Sequence, residues 1–409
     1  MKPQGSNTLH INEAYRFQPG RPFSLMLKPV GAECNLNCAY CYYMPAEPAL
    51  KRPGKFNVMS EELLRKAIYE TIKLNNTPEV SFCWHGGEPL LAGIGFFQKA
   101  VEIQQEALAQ ENFKYGGSKT IINTIQTNGT LINAEWCRLF KQNNFLVGVS
   151  IDGPKDIHDA FRVNRAGESM FDRTMSGISM LKEWGVEFNT LSTVNSASEG
   201  RGAGVYEFLK NIGANSHENP RFMQFLPVVA PDETWGVSAE GYGQFMKDVF
   251  SEWWRCGDAG KVYVQLFDVA LANYMGMQGG LCQFNPVCGD VPVLEQNGDI
   301  FTCDHFVNRP ESVVDNVFYL GNLKTQNFEE LVYSPKIANF GIEKRSRLPV
   351  KCQRCDYLNL CCGGCPEHRV VKTDGDYNIN FLCPGYFSFF SFVSPFLEII
   401  SKNINSNFT

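Results

Sequence analysis

The stretch Phe23-Ser-Leu-Met-Leu-Lys-Pro-Val30, followed by Cys34-Asn-Leu-Asn-Cys38-Ala-Tyr-Cys41, joins an apolar strand-like run to a loop with three cysteines in C-x3-C-x2-C spacing. Thiolates are the ligands that iron-sulfur clusters use. Three of them hold three irons of a 4Fe-4S cube and leave the fourth free to chelate a small molecule. The alternative, a zinc site, needs a fourth ligand, and none stands out between Tyr42 and Lys73.

Working outward, 409 residues with 44% apolar content exceed one ordinary core and suggest two or three packed units. The net charge of −6, without a Lys/Arg block, argues against nucleic acid as the main partner. Residues Met1 to Gly20 show no apolar leader, and no run of 18 apolar residues occurs anywhere in the chain, so a cytoplasmic location is expected. Fifteen cysteines, clustered and odd in number, read as metal ligation and not as a disulfide framework. Of these, Cys83, Cys137, Cys256 and Cys362 fall outside every spacing used below and read as ordinary thiols.

From Phe23 to about Val229, β-branched runs alternate with helical patterns, the signature of a parallel sheet covered by helices. Strands are expected at Phe23 to Lys28, Val80 to Trp84, Ile121 to Gln126, Leu146 to Ile151, Phe188 to Val194 and Phe222 to Val228. Helices are expected at Glu61 to Leu74, Phe96 to Gln110 and Asp172 to Trp184. Six βα units predict an α/β fold in which a partial, splayed barrel replaces the closed eight-stranded one.

Parallel α/β sheets gather ligands at the carboxyl ends of their strands, and the polar motifs fall there. In Trp84-His85-Gly86-Gly87-Glu88-Pro89 the glycines let the backbone approach a ligand, and Glu88 suits an ammonium group; by itself the motif also reads as a plain turn. Gln126-Thr127-Asn128-Gly129-Thr130 is a turn with polar side chains at the same opening. In Ser150-Ile151-Asp152-Gly153-Pro154, with Arg162 following, Ser150 suits a ribose hydroxyl and Arg162 a carboxylate. An amine, a carboxylate, a ribose and an open iron form the inventory of S-adenosylmethionine.

Taken together, these motifs resemble the radical S-adenosylmethionine superfamily over roughly residues 21 to 230. The resemblance implies a partial (β/α)6 TIM-like barrel with Cys34, Cys38 and Cys41 on the cluster. It places the Tyr40 backbone beside the adenine, Gly87 and its neighbours near the amino group, Ser150 near the ribose, Arg162 near the carboxylate, and Leu226 as an apolar adenine contact.

A second cysteine system runs through Cys282, Cys288, Cys303, Cys352, Cys355, Cys361, Cys365 and Cys383. Eight thiols make two complete tetrads, and an Asn-Gly hairpin between Leu294 and Thr302 can bring Cys288 and Cys303 together. Thiolate tetrads serve zinc and iron-sulfur equally, so the spacing alone leaves both open. The order resembles the SPASM domain of peptide-modifying radical enzymes, which implies two auxiliary 4Fe-4S clusters and three in all. By that pattern Cys282, Cys288, Cys303 and Cys365 hold the first, and Cys352, Cys355, Cys361 and Cys383 the second. The expected organisation is an N-terminal segment 1–20, a barrel 21–230, a connecting helical region 231–281, a SPASM domain 282–395 and a tail 396–409.

Within this class the chain is most similar to the anaerobic sulfatase-maturating enzymes, from Met26-Leu-Lys-Pro-Val-Gly to Cys303-Asp-His-Phe-Val. Membership implies oxidation of a sulfatase cysteine or serine to Cα-formylglycine, with Asp304 as the base. The implied partners are a sulfatase polypeptide and a low-potential electron donor of flavodoxin or ferredoxin type. Other readings are a peptide maturase that forms thioethers and a three-cluster electron carrier, although a carrier has no use for an open iron. Tyr43 and His85 flank the motifs and are candidates to touch a peptide.

Overall fold

The computed structural model describes residues 21–43, 57–213, 221–307, 317–375 and 377–406; the N-terminal segment 1–20 lies outside them. The expected strands form, with small shifts at their ends: β1 (Leu25–Lys28), β2 (Glu79–Trp84), β3 (Thr120–Thr127), β4 (Leu146–Ser150), β5 (Phe188–Val194) and β6 (Arg221–Pro227). They pair in parallel and in sequence order.

Helices α1 (Glu61–Leu74), α2 (Ile94–Tyr115), α3 (Ala134–Gln142), α4 (Lys155–Phe161), α5 (Phe171–Glu183) and α6 (Gly202–Ile212) form the connections. Ser60 starts α1 by accepting from the Leu63 amide, and Leu64, Ala67, Ile68 and Ile72 recur at helical spacing on its buried face. Alternation along β1 sends Leu25 and Leu27 into this helical layer and leaves Met26 and Lys28 on the other face. Phe97 meets Trp84, Trp136 and Phe145 edge-to-face between sheet and helices, and Phe140 stacks on Trp136.

Two features differ from the sequence expectation. Residues 231–281 contain the helices α7 (Ala239–Arg255) and α8 (Gln265–Tyr274) but also a seventh parallel strand, β7 (Val262–Val264), on β6. The second feature is at the other edge. The cysteine-rich half contributes β8 (Val293–Glu295), β9 (Asp299–Phe301) and β10 (Tyr319–Asn322), and β8 pairs in parallel with β1. One ten-stranded sheet therefore runs through both halves, in the order β10-β9-β8-β1-β2-β3-β4-β5-β6-β7. The hairpin satisfies the backbone groups that β1 would otherwise expose at an open edge. Its turn is the expected Asn-Gly one, with Gly298 at φ +98°.

The final helix, Cys383–Ser406, is continuous across the expected boundary at 395/396. Its segment Cys383–Ile404 is long and apolar enough to cross a membrane by length and composition alone, although Ser388, Ser391, Ser394 and Glu398 break its apolar run. In the fold Tyr386, Phe389, Phe390, Val393 and Leu397 are buried in the main core, and Phe250 and Trp254 of α7 meet Phe396 edge-to-face.

Candidate active site

The loop Cys34–Cys41 leaves the carboxyl end of β1 and is clamped from three sides. The segment after α4 accepts from it, with Asn37 donating to the Val163 carbonyl at 2.8 Å and Ala39 to that of Phe161 at 3.1 Å. The loop after β3 reaches it through Asn128, whose side chain donates to Asn35 Oδ1 at 2.9 Å, and through Thr130, which accepts from Asn35 at 2.8 Å. The loop after β2 lies directly against it: the Gly87 amide donates to the Gly31 carbonyl and that of Glu88 to Glu33, both at 2.8 Å. Cys34 lies within electrostatic reach of Cys38 and Cys41; burial and then Glu88 push Cys34 up to about 12, and burial pushes Cys38 up to about 11 against the opposing charge of Arg162. Buried thiols held this way fit a cationic metal cluster, which supplies the charge that their thiolate forms need.

Three groups of residues expected at the cofactor pocket have close partners within the fold. Gly86, at φ +124°, and Gly87 have no room for a side chain because they pack on the backbone of Gly31, Ala32 and Glu33, just ahead of Cys34. Glu88 does not face an opening. It is fully buried, accepting from the amides of Leu90 (3.1 Å) and Asn128 (2.8 Å) and the hydroxyl of Thr127 (2.8 Å), so it ties the β2 and β3 loops together. Burial lifts its carboxyl to about 7 against those donors. Arg162 is already partnered: its Nε donates to Asp152 at 3.1 Å, its second nitrogen to Thr193 Oγ1 at 3.1 Å, and it stacks over the Tyr40 ring. Asp152 also accepts from the Tyr40 hydroxyl and from the amide and hydroxyl of Thr193.

Ser150 ends β4 and accepts from Gln126 at 2.9 Å, and Leu226 sits half-buried on β6, opposite Thr193 of β5.

The auxiliary thiols gather in two groups. Cys303 lies within electrostatic reach of Cys365 and Cys282, and Cys288 of Cys282. Cys352 senses Cys383 and Cys355, and Cys361 senses Cys352 and Cys383. Lys344 fixes the turn between Cys282 and Cys288, donating to the carbonyls of Cys282 (2.6 Å), Gln283 (2.9 Å) and Asn285. Glu367 bridges His368 at 2.8 Å and His305 at 3.7 Å beside this first group.

Asp304 sits on the turn after Cys303, 9% exposed, where β8 and β9 bring it against the carboxyl end of β1. Lys28 ion-pairs with one of its oxygens and the Tyr42 hydroxyl donates to the other. Burial alone would raise the Asp304 carboxyl, but the Lys28 ammonium beside it holds it well below the usual carboxylate range. Tyr43 donates to Glu295 of β8 at 2.6 Å, and its ring lies 3.5 Å beneath the Lys28 ammonium. His85 accepts the Gly86 amide on Nδ1 at 2.8 Å, so its Nε2 carries the proton, and burial keeps the ring neutral.

Sequence reasoning missed Lys28, Glu295 and Lys344. The available signal was a charged residue at an inward position of an apolar strand, as in Leu25-Met-Leu-Lys28 and Val293-Leu-Glu295, which costs too much to bury without a partner.

A thiol-lined loop at the mouth of a parallel barrel, with two further thiol groups behind it, defines a radical S-adenosylmethionine enzyme carrying a SPASM iron-sulfur domain. The Radical SAM superfamily profile matches residues 29–195, and that of the iron-sulfur cluster-binding SPASM domain matches residues 288–356. A serine-type anaerobic sulfatase-maturating enzyme of Bacteroides thetaiotaomicron is 41% identical over 94% of this chain and 92% of its own length. A cysteine-type counterpart of Clostridium perfringens is 30% identical over 94% of this chain and 99% of its own. The solved structure of anSMEcpe with bound AdoMet and the Cp18Cys peptide superposes with a TM-score of 0.80 at 30% identity, covering 93% of this chain and 99% of that one. The chain belongs to the anaerobic sulfatase-maturating enzymes.

Proposed function

We propose that this protein oxidises a cysteine or serine of a sulfatase polypeptide to Cα-formylglycine, with Asp304 as the base. The observation that carries this reading is the placement of Asp304: a carboxylate held ionised at the barrel mouth, one oxygen already accepting from an O–H donor, beside the cysteine loop. Three clusters are proposed, on Cys34, Cys38 and Cys41; on Cys282, Cys288, Cys303 and Cys365; and on Cys352, Cys355, Cys361 and Cys383. When bound, the first cluster and S-adenosylmethionine supply a 5′-deoxyadenosyl radical that removes a Cβ hydrogen, and the auxiliary clusters supply an outlet for the remaining electron.

The chain's own residues bind and deprotonate. Ser150, Leu226, the Tyr40 backbone and the Gly86-Gly87 turn form the cofactor seat, while Glu88 and Arg162 fix its loops. Asp304 takes the hydroxyl or thiol proton, and a base does this only within about 3 Å or through one water. Removal of one hydrogen atom, one proton and one electron turns the serine side chain into an aldehyde directly. The cysteine side chain becomes a thioaldehyde, which water converts with loss of sulfide. A low-potential flavodoxin or ferredoxin is the proposed reductant.

The test is an anaerobic assay with sulfatase peptides. Serine peptides should lose about 2 Da and cysteine peptides about 18 Da, with 5′-deoxyadenosine formed alongside. A cysteine peptide that lost about 2 Da and kept its sulfur would overturn the maturase reading in favour of a thioether product. Iron and sulfide at about 12 each per chain would support three clusters, and about four with bound zinc would refute the auxiliary ones.

A further inference from the structure

Lys28 is entirely buried, yet it carries an ammonium into the barrel mouth at the last position of β1. An unpaired charge there would cost several kcal/mol, by order of magnitude, so its surroundings have to compensate it. Three separate segments do so. Asp304 approaches from the turn after Cys303, and Glu295 stands opposite Lys28 in the register of β1 and β8, with its carboxylate 4.0 Å from Nζ. The third is the Tyr43 ring, fixed by the hydrogen bond of its hydroxyl to Glu295.

We propose that Lys28 is the positioning residue for Asp304, pinning Oδ1 so that Oδ2 alone faces the substrate proton. The inference rests on the reading of Asp304 as the base. An aspartate carboxylate turns broadly about χ2, so one oxygen must be anchored if the other is to keep a fixed direction. Oδ1 meets Lys28 on the buried side. Oδ2 meets the hydroxyl of Tyr42, the residue that follows Cys41, and therefore lies on the side of the cysteine loop. That hydroxyl marks the place where the O–H or S–H of a target residue delivers its proton. Glu295, 4.0 Å from Nζ and held by Tyr43, is a second acidic neighbour of Lys28 besides the base.

Lys28→Met keeps the length of the side chain and removes its charge. With a sulfatase-derived serine peptide, it should lower formylglycine turnover about 10- to 100-fold, as small misplacements of a reacting group do. The peptide KM should change little, and the ratio of 5′-deoxyadenosine to formylglycine should rise because hydrogen removal outruns deprotonation. Asp304→Asn and the double variant should be equally slow, since Lys28 acts through Asp304. Iron content and visible absorption verify cluster loading. If Lys28→Met fails to load, Lys28→Arg, which keeps the charge but displaces it, should raise the same ratio. A wild-type product ratio in the loaded variant, or additive losses in the double variant, overturns the assignment. An Asp304→Asn enzyme with full activity would instead sink the reading of the base itself.

Discussion

Gly87 and Glu33 meet backbone against backbone: a Cβ added at Gly87 would fall 2.0 Å from the Glu33 carbonyl oxygen, which also accepts from the Glu88 amide. The Gly-Gly-Glu-Pro turn thus serves as the back wall of the cysteine loop. Gly87→Ala should push that loop away, costing about 1 to 3 kcal/mol in stability as overpacking does. The measurable result is loss of about four iron per chain, the content of one cube, with the auxiliary iron retained.

Glu88 predicts a pH effect. Its carboxyl rises from 4.5 to about 7 in the fold because burial outweighs its three donors. A raised carboxyl pKa contributes stability that is full below the unfolded value and is lost as pH rises through the folded one. Between pH 5 and 7 the wild type should therefore weaken relative to Glu88→Gln by about 2 kcal/mol, and the gap should be flat above pH 7. Urea denaturation of both proteins across that range checks the slope.

Asp152 compensates Arg162 in a buried pair that also fixes Tyr40 and Thr193. Asp152→Asn leaves the guanidinium uncompensated and should cost about 3 to 5 kcal/mol. Binding of S-adenosylmethionine should weaken with it, because Tyr40 lies in the cysteine loop. Calorimetric titration of the loaded protein reads this directly.

Cys361 and Cys362 are neighbours with opposite expected fates. Cys361 lies among Cys352 and Cys383, whereas Cys362 adopts a left-handed φ of 49° at the end of its helical turn and senses Lys344, Arg345 and Arg369. Cys361→Ser should lower the iron content by about four per chain, and Cys362→Ser should leave it unchanged. Equal losses would reassign the tetrad.

The strands and helices of the barrel were legible because their signals are local. Alternation set β1 to β6, Ser60 started α1, and the Asn-Gly pair closed the β8–β9 hairpin. The C-x3-C-x2-C loop was legible for the same reason, since its spacing is written in nearly consecutive residues, whereas the division of the other eight thiols followed only from the resemblance to the SPASM domain. The partners of Glu88 were not legible, because a motif shows which groups a residue offers and not which neighbours take them. Its partners, Thr127 and Asn128, lie about 40 positions away.

The amino-acid order alone pointed to the parallel barrel and to the Cys34-Cys38-Cys41 loop, because periodicity and short spacings act within a turn or a strand. Only the tertiary structure decided that β8 joins the barrel at β1, and hence that Lys28 meets an aspartate 276 positions later in the chain. Pairing of that kind depends on which sheet edge remains open after the rest has folded, and on which buried charge still needs its opposite.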